Sequence, residues 1–452
     1  MAISKQGQTN LPRPSKSNKP GAALNVFSLA VRRVLIDHGD IYFNDVRTPL
    51  DAALQDLRVQ IRLVSPAAEY RGTLSYQRGI VRVDGFNPLE HNLHAVFSAT
   101  ESGIKIAPLL VVSGASRISV EARLTGYEHP SVSGTYQIVT SGQQIGDLLK
   151  DRTVPTGEMA TTGSFHYQNL RARPFIQAVV ADGQFESSRL TFRISQARAA
   201  IRDVRARYQL DAGSLTVSRL RARLLGGSIV ASASAAHLAA TPEFRIAAAI
   251  HKLSLGAMNR ALASHPLQGV PLRGQINGTV EAAWQGKIAG AMAHSDVTIR
   301  AATPSAPAGN AIPVSGAIHL RYDAARGVIS LHESYLRTPA SEVRLNGTVS
   351  DHSRLTVSAS TSNLHEIDQL ALILRRTMAS RQPGSRAARL LGLQGSASLS
   401  GEVEGSIGNP AFVGKCSASN VQFRNVRARS AGAQIALNPS HLTVSNGELM
   451  LT

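Results

Sequence analysis

The sequence has 452 residues, of which 43% are apolar, 17% charged and 5% aromatic, and its formal net charge is +18. This apolar content excludes a chain that is disordered throughout. The single cysteine, Cys416, excludes an intramolecular disulfide and a multi-thiolate metal site. The basic residues are dispersed and not interleaved with aromatic side chains, so the charge does not indicate a nucleic-acid-binding protein.

The amino-terminal segment, residues 1–24, is polar and contains several Pro, Ser and Lys residues without helical or strand periodicity. This composition predicts a disordered basic leader. No window reaches the roughly 20 uninterrupted apolar residues of a membrane-spanning helix. The amino terminus also lacks the apolar core of a secretory signal.

From about residue 25 onward, apolar and polar side chains alternate in short runs, which is the pattern of strands with one apolar face. Asp-His-Gly-Asp at 37–40 predicts a hairpin turn between two such strands. Six runs alternate most clearly: 56–63, 117–124, 219–224, 276–284, 342–349 and 397–404. Their apolar positions are Leu57, Val59, Ile61, Leu63, Ile118, Val120, Leu124, Leu220, Leu224, Ile276, Val280, Trp284, Val343, Leu345, Val349, Leu399 and Val403.

Helical periodicity is confined to three short segments, 144–150, 255–262 and 367–378. Each follows a strand pair near a serine (Ser116, Ser228, Ser341) and precedes a glycine-centred strand (Gly163, Gly274, Gly395). The serines recur at about 112 residues, which indicates an internal repeat. We therefore expect three β repeats, 25–164, 165–285 and 286–405. Residues 406–452 begin an incomplete fourth, so we expect the chain to be a fragment of a longer protein.

These patterns predict a mostly β fold, an elongated, repetitive and curled β-sheet that is groove-like or solenoid-like and has a few short helices. The low aromatic content supports this fold, because a shallow sheet has no wide centre to fill.

Catalytic and metal-binding motifs are missing from the sequence. His91 and His94 form a close histidine pair, but no third ligand is near them in sequence. Ser350, Asp351 and His352 are adjacent, whereas triad residues come from separate elements and meet only in space. No phosphate-binding loop or dinucleotide fingerprint is present. The sequence therefore predicts a protein that is not an enzyme and has no cofactor, no metal and no nucleic-acid partner.

Three stretches resemble the AsmA/TamB family. They are Val-Arg-Arg-Val-Leu-Ile-Asp-His-Gly-Asp-Ile-Tyr-Phe-Asn-Asp at 31–45 with Leu-Gln-Asp-Leu-Arg-Val-Gln-Ile at 54–61, Leu-Arg-Ala-Arg-Leu-Leu-Gly-Gly-Ser-Ile at 220–229, and Gly-Ser-Ile-Gly-Asn-Pro-Ala-Phe-Val-Gly at 405–414. The resemblance implies a periplasmic protein of the Gram-negative envelope, anchored to the inner membrane by a helix that this chain does not contain. It also implies phospholipid transport towards the outer membrane, a role in outer-membrane biogenesis and an outer-membrane barrel partner reached through regions absent here.

The residue pattern by itself suggests the same mechanism. An apolar trough formed by the seventeen residues named above would shelter phospholipid acyl chains, at about 0.8 kcal/mol per methylene, while the head groups stay in water. Two alternatives remain open. The sheet edges could bind strands of outer-membrane proteins as an assembly factor, or the apolar face could be closed by a second sheet in a scaffold without lipid cargo. The exposed Arg-rich face is a solvated surface or attracts anionic head groups.

Overall fold

The computed structural model describes residues 2–3, 31–45, 50–64, 69–168, 174–194, 197–261, 272–301, 312–379, 391–406, 408–423 and 426–451. Strands make up 74% of the structure, they pair antiparallel in a sheet that is not closed, and the helices are few and short. The predicted mostly β class is confirmed. The predicted leader lies outside the described residues except for Ala2–Ile3, which pairs in parallel with Asn44 and Asp45.

The described strands and helices follow the chain in a regular order. The strands are β1 (Ala2–Ile3), β2 (Arg33–Asp45), β3 (Leu50–Leu63), β4 (Tyr70–Val83), β5 (Leu89–Thr100), β6 (Gly103–Ser113), β7 (Ser116–Thr125), β8 (Ser131–Ser141), β9 (Glu158–Gln168), β10 (Val179–Ile194), β11 (Ala197–Asp211), β12 (Ser214–Leu224), β13 (Gly227–Ala236), β14 (Glu243–Ser254), β15 (Leu272–Arg273), β16 (Gln275–Gln285), β17 (Met292–Arg300), β18 (Ile312–Pro313), β19 (Ser315–Asp323), β20 (Val328–Arg337), β21 (Ser341–Val349), β22 (Ser353–Thr361), β23 (Gln394–Ser406), β24 (Asn409–Phe423), β25 (Val426–Leu437) and β26 (Leu442–Leu451). The helices are α1 (Gly142–Leu149), α2 (Phe175–Ala178), α3 (Leu255–Ala261) and α4 (Leu364–Ala379), with a 3-10 turn at Ile288–Gly290.

The chain divides into two compact units. The first contains Met1–Arg193, Ala200–Arg219 and Ala236–Ala240, and the second contains Ile194–Ala199, Leu220–Ala235 and Thr241–Thr452. In the first unit, β2 to β10 form an antiparallel series in which each strand pairs with the one before it in sequence, from β2–β3 to β9–β10. In the second, the same up-and-down order runs from β14 to β26, with β15 and β18 paired in parallel outside the main sheet.

All six runs predicted from alternation are strands, in β3, β7, β12, β16, β21 and β23. Their side chains alternate between sheltered and exposed positions; in β12, for example, Ala222 is buried between the exposed Arg221 and Arg223. The period of two in the sequence therefore corresponds to the two faces of the sheet.

The hairpin turn predicted at 37–40 is wrong, because β2 continues through these residues as one strand. The extra residues form bulges, since the pairing with β3 shifts register on both sides of Gly39. His38 takes a φ of 54° there, and its Nδ1 lies 2.6 Å from the Asp56 carboxylate of β3. Asp and Gly provide the backbone freedom for a bulge as readily as for a turn.

The three longer helices, α1, α3 and α4, confirm the three predicted helical segments. Six sheet strands lie between α1 and α3, and six strands of the main sheet lie between α3 and α4. The N–H of Gly142, the first residue of α1, donates to the Gly157 carbonyl, and the N–H of Leu255 in α3 donates to the Gly274 carbonyl. Gly157, rather than the predicted Gly163, thus corresponds to Gly274. The proposed repeat boundaries stay predictions.

Two of the serines used to align the repeats tie a strand to the following helix. Ser116 Oγ lies 2.6 Å from both Thr140 Oγ1 and Gln144 Oε1 of α1. Ser341 Oγ donates to Thr361 Oγ1 at 3.1 Å and lies near Glu366 of α4. Similar hydrogen bonds at similar places support the repeat. Ser228 is exposed as the second residue of β13.

Helix α4 also orders the chain that leads into β23. Asp368 is 3% exposed, and its carboxylate accepts N–H bonds from Leu391 at 3.0 Å, Gly392 at 2.7 Å and Leu393 at 3.4 Å. Burial acts to raise the pKa of Asp368, but the three backbone donors outweigh it and hold this pKa below its ordinary value.

Candidate functional site

The seventeen apolar residues singled out from the sequence all lie in strands, on the sheltered side of the alternation. Leu57, Val59 and Ile276 are buried, and the other fourteen are partly exposed. Their alternating placement is thus observed, whereas a role in lipid binding stays a prediction.

In the first unit, antiparallel register aligns these side chains into rows that cross the sheet. We call this surface, the side of β3–β10 that carries the rows, the first apolar face. A middle row consists of Val59, Leu74, Ala95, Leu109, Val120 and Tyr136. An outer row consists of Leu63, Tyr70, Ala99, Ile104, Leu124, Val132, Tyr167 and Val179. Ile61 and Ile118 belong to parallel rows between and beside them.

The second unit has an equivalent surface on β14–β25, which we call the second apolar face. One row consists of Leu253, Ile276, Ile299, Gly316, Leu336, Val343, Ala359, Leu399 and Cys416. A second row consists of Leu345, Val357, Gly401, Gly414 and Ile435. Val403 pairs with Leu355, Val349 with Ile329, and Val280 with Ala248. Leu224 packs against the buried cluster that contains Leu253 and Ile276, while Leu220 is partly exposed on β12.

Aromatic side chains on the first apolar face lie over glycines of neighbouring strands. A Cβ at Gly163 would be 2.5 Å from the Tyr136 hydroxyl, and a Cβ at Gly183 would be 2.5 Å from the Tyr208 hydroxyl. Phe165 covers Gly134 in the same manner. Because the rings lie along the sheet instead of standing on it, the apolar face stays shallow. Sequence reasoning missed these residues, although Gly and an aromatic residue recur two positions apart at 134–136 and 163–165.

Tyr136 of β8 and Tyr208 of β11 form a polar spot at the β10 end of the first apolar face. The Tyr136 and Tyr208 hydroxyls share a hydrogen bond, and Tyr208 Oη lies 2.6 Å from Thr161 Oγ1, which donates to the Gln184 carbonyl. Burial raises the pKa of Tyr136, and its hydrogen bond with Tyr208 raises it further. The Tyr136 hydroxyl is therefore a protonated hydrogen-bonding group at any physiological pH.

Trp284 stacks on Phe244 across β16 and β14, with ring centroids 5.0 Å apart. This pair adds a broad aromatic surface to the second apolar face. Trp284 is the only tryptophan in the sequence, so its fluorescence reports on the second apolar face.

The opposite side of the sheet carries the charged groups. The Asp296 carboxylate lies 2.7 Å from His319 Nδ1 and 2.8 Å from His294 Nε2. The hydrogen bond from His319 is the main cause that lowers the pKa of Asp296.

Of the two histidines that are close in sequence, His91 and His94, the first contacts Tyr76: His91 Nε2 lies 2.7 Å from the Tyr76 hydroxyl. Among the described residues, no group of three or more His, Cys, Asp or Glu is placed to hold a metal ion.

No helix in the described part of the chain is both long and apolar enough to cross a membrane. No family model matches the sequence, and no curated protein matches it. The resemblance to AsmA/TamB proteins therefore stays a prediction.

Proposed function

We propose that the protein binds phospholipid acyl chains on its apolar faces and conducts phospholipid between the inner and outer membranes of a Gram-negative envelope, facing the periplasm. The observation that carries this proposal is the cross-strand rows of apolar residues, continuous on the first apolar face and interrupted by glycines on the second, most of which remain partly exposed. A contiguous apolar surface larger than a few hundred Å² is unusual on a monomer and marks an interaction site.

The free energy gained from such rows is large. Sheltering a 16-carbon acyl chain from water is worth about 12 kcal/mol at about 0.8 kcal/mol per methylene. The rows need no reacting group, because a lipid that slides along them keeps similar contacts at each strand. The hydroxyls of Tyr136 and Thr161 offer polar contacts to an ester group within the face.

The proposal includes a curved sheet, so that each apolar face forms a trough. Bulges support curvature because they bend the strand that carries them. Register shifts occur between β4 and β5 at Tyr76/Gly79, between β14 and β16 at Ile250/Leu253, and between β20 and β21 at Leu331/Ser334. Several non-glycine residues at these places have positive φ, among them Arg78, Lys252 and Glu333.

The test is native mass spectrometry, with lipid extraction, of the chain purified from a bacterial periplasm. We expect co-purified phospholipid in the wild type and a loss of most of it in Val120→Asp and Leu399→Asp. The matched controls are Gln137→Asp and Ser400→Asp. Gln137 follows Tyr136, the partner of Val120, and Ser400 follows Leu399, so each control places a carboxylate close to the tested position but on the opposite side of the sheet. A folded, lipid-free wild type, or equal losses in the controls, would contradict the proposal.

A second candidate, binding of outer-membrane protein strands, is favoured by β26. All its residues are exposed, including Leu442 at 62%, Val444 at 59% and Met450 at 64%, and it pairs with β25 along one edge. An exposed strand of this kind pairs readily with a strand from another chain. This candidate would be favoured if the wild type binds unfolded segments of outer-membrane barrel proteins and if Val444→Pro abolishes that binding.

A further inference from the structure

Basic side chains form a row on the reverse side of the first apolar face. Register places Arg33, Arg62 and Arg71 directly opposite one another on β2, β3 and β4. Ser98 on β5 continues the row, followed by Lys105 on β6 and Arg123 on β7, which again face each other. We call Arg33, Arg62, Arg71, Lys105 and Arg123 the basic row. All five are exposed, and six strands at about 4.8 Å spacing give the row a length of about 24 Å.

Such a row is unfavourable for the free protein. Like charges directly opposite on neighbouring strands repel, whereas opposite charges attract. The second unit shows the usual solution, because Arg337 and Glu342 face each other and their side chains form an ion pair at 2.6 Å. Within the described part of the chain, the ion pair of the basic row joins Arg71 to Glu69, at 3.0 Å. Most of the charge is thus uncompensated within the row.

The row also lines a shallow depression between β3 and β6. Arg62, Arg71 and Lys105 surround it together with Gln60, Thr73 and Ser98. Guanidinium, ammonium, amide and hydroxyl donors therefore converge on one surface site, which suits phosphate oxygens. Among the described residues that line this depression, Glu69 is the one carboxylate.

The position of the row favours a membrane surface as its partner. Each basic residue lies within a few positions of a strand end, and all lie at the same end of the sheet. At that end, Val64 is 51% exposed and Tyr127 is 44% exposed, with its hydroxyl donating to the Thr100 carbonyl. Basic and tyrosine side chains together are typical of the head-group region of a bilayer. Single-stranded nucleic acid needs aromatic platforms within the basic groove, and Phe97, the aromatic residue at the depression, instead lies over Gly72 in a row with Ile61 on the apolar side.

We propose that the basic row is a docking surface for an anionic bilayer, with Arg62, Arg71 and Lys105 binding head-group phosphates. Glu101 and Glu128 in the neighbouring turns limit the net charge but lie outside the row. This inference goes beyond lipid binding on the apolar faces and does not depend on it.

The test is co-sedimentation of the full chain with vesicles of equal parts phosphatidylglycerol and phosphatidylethanolamine at low salt. We expect Arg62→Glu/Lys105→Glu/Arg123→Glu to bind at least about a hundredfold more weakly, because each cation near an anionic surface contributes about fivefold. The matched control is Arg82→Glu/Arg117→Glu/Arg152→Glu, which has the same net charge but carries its changes elsewhere in the first unit. We expect this control to keep most of the wild-type affinity.

Three results would overturn the proposal: equal losses in both triple variants, equal wild-type binding to phosphatidylcholine vesicles, or a double-stranded DNA competitor that displaces the vesicles and binds through the same residues. Circular dichroism checks folding, and the corresponding Gln substitutions replace the Glu variants if those fail to fold. Phospholipid co-purification is measured on the same variants. Loss of docking with retained cargo separates this inference from the proposed function.

Discussion

If phospholipid slides along the first apolar face, a single charge in its path slows every lipid that crosses it. Leu74 and Val120 belong to one row, three strands apart, at about 14 Å. We consider the variants Leu74→Asp and Val120→Asp, alone and combined. Each carboxylate draws water onto its own strand and the two neighbouring strands. An acyl chain that crosses these three strands exposes about eight methylenes to water, which costs up to about 6 kcal/mol of free energy.

The acyl chain can bend away from the carboxylate, which reduces this barrier. If a quarter of it remains, about 1.5 kcal/mol, transfer slows about tenfold in either single variant. Because two equal barriers in series are crossed one after the other, the double variant slows transfer only about twofold further. Independent binding sites would instead multiply the two losses to about a hundredfold.

The assay is the initial rate of fluorescent phospholipid transfer between vesicle populations, measured by dequenching. Gln137→Asp serves as the control, since its side chain lies on the opposite side of β8 from Tyr136. A double variant that is a hundredfold slower, or single variants that transfer at the wild-type rate, would refute the series argument.

Two further predictions concern stability. Asp368→Asn removes a charged acceptor of three backbone hydrogen bonds and should destabilise the second unit by about 3 kcal/mol in urea titrations. Because the pKa of Asp368 is lowered in the folded protein, the wild type should keep this advantage above about pH 4 and lose it as the pH falls through that pKa. A difference in stability between wild type and variant that stays the same at low pH would contradict the assignment. Ser116→Ala and Ser341→Ala should each lower the free energy of unfolding by about 1 kcal/mol, and an effect in only one of them would argue against equivalent roles in the two repeats.

The sequence predicted those features that depend on local periodicity. Alternation gave the strands around Val120 and Leu399 and their apolar face, because side chains in a strand alternate strictly between two sides. The helices were found for the same reason, since a period near 3.6 interrupts the alternation. A few consecutive residues are enough to predict which side of a strand is apolar, and this prediction does not depend on which strands pair with it.

Features that depend on register were out of reach. The pairing of Lys105 with Arg123 is followed by a register shift between Ile106 and Leu109, and a slip of one residue would put different side chains opposite one another. The bulge at Gly39 was mistaken for a turn because both use the same residue types. The stacking of Tyr136 over Gly163 likewise needs two strands to be aligned before it can be recognised.

The two surfaces of the first unit are linked by the geometry of a strand. The outer apolar row contains Leu63, Ile104 and Leu124, and the basic row contains their immediate neighbours Arg62, Lys105 and Arg123 on the reverse side. Since both rows run along the same end of the strands, a bilayer bound to the basic row would bring head groups close to the outer apolar row. A lipid leaving that bilayer would then have a short path for its acyl chains onto the first apolar face. The two surfaces therefore carry different side chains but are adjacent in space, which is the arrangement that uptake of lipid from a membrane surface would require.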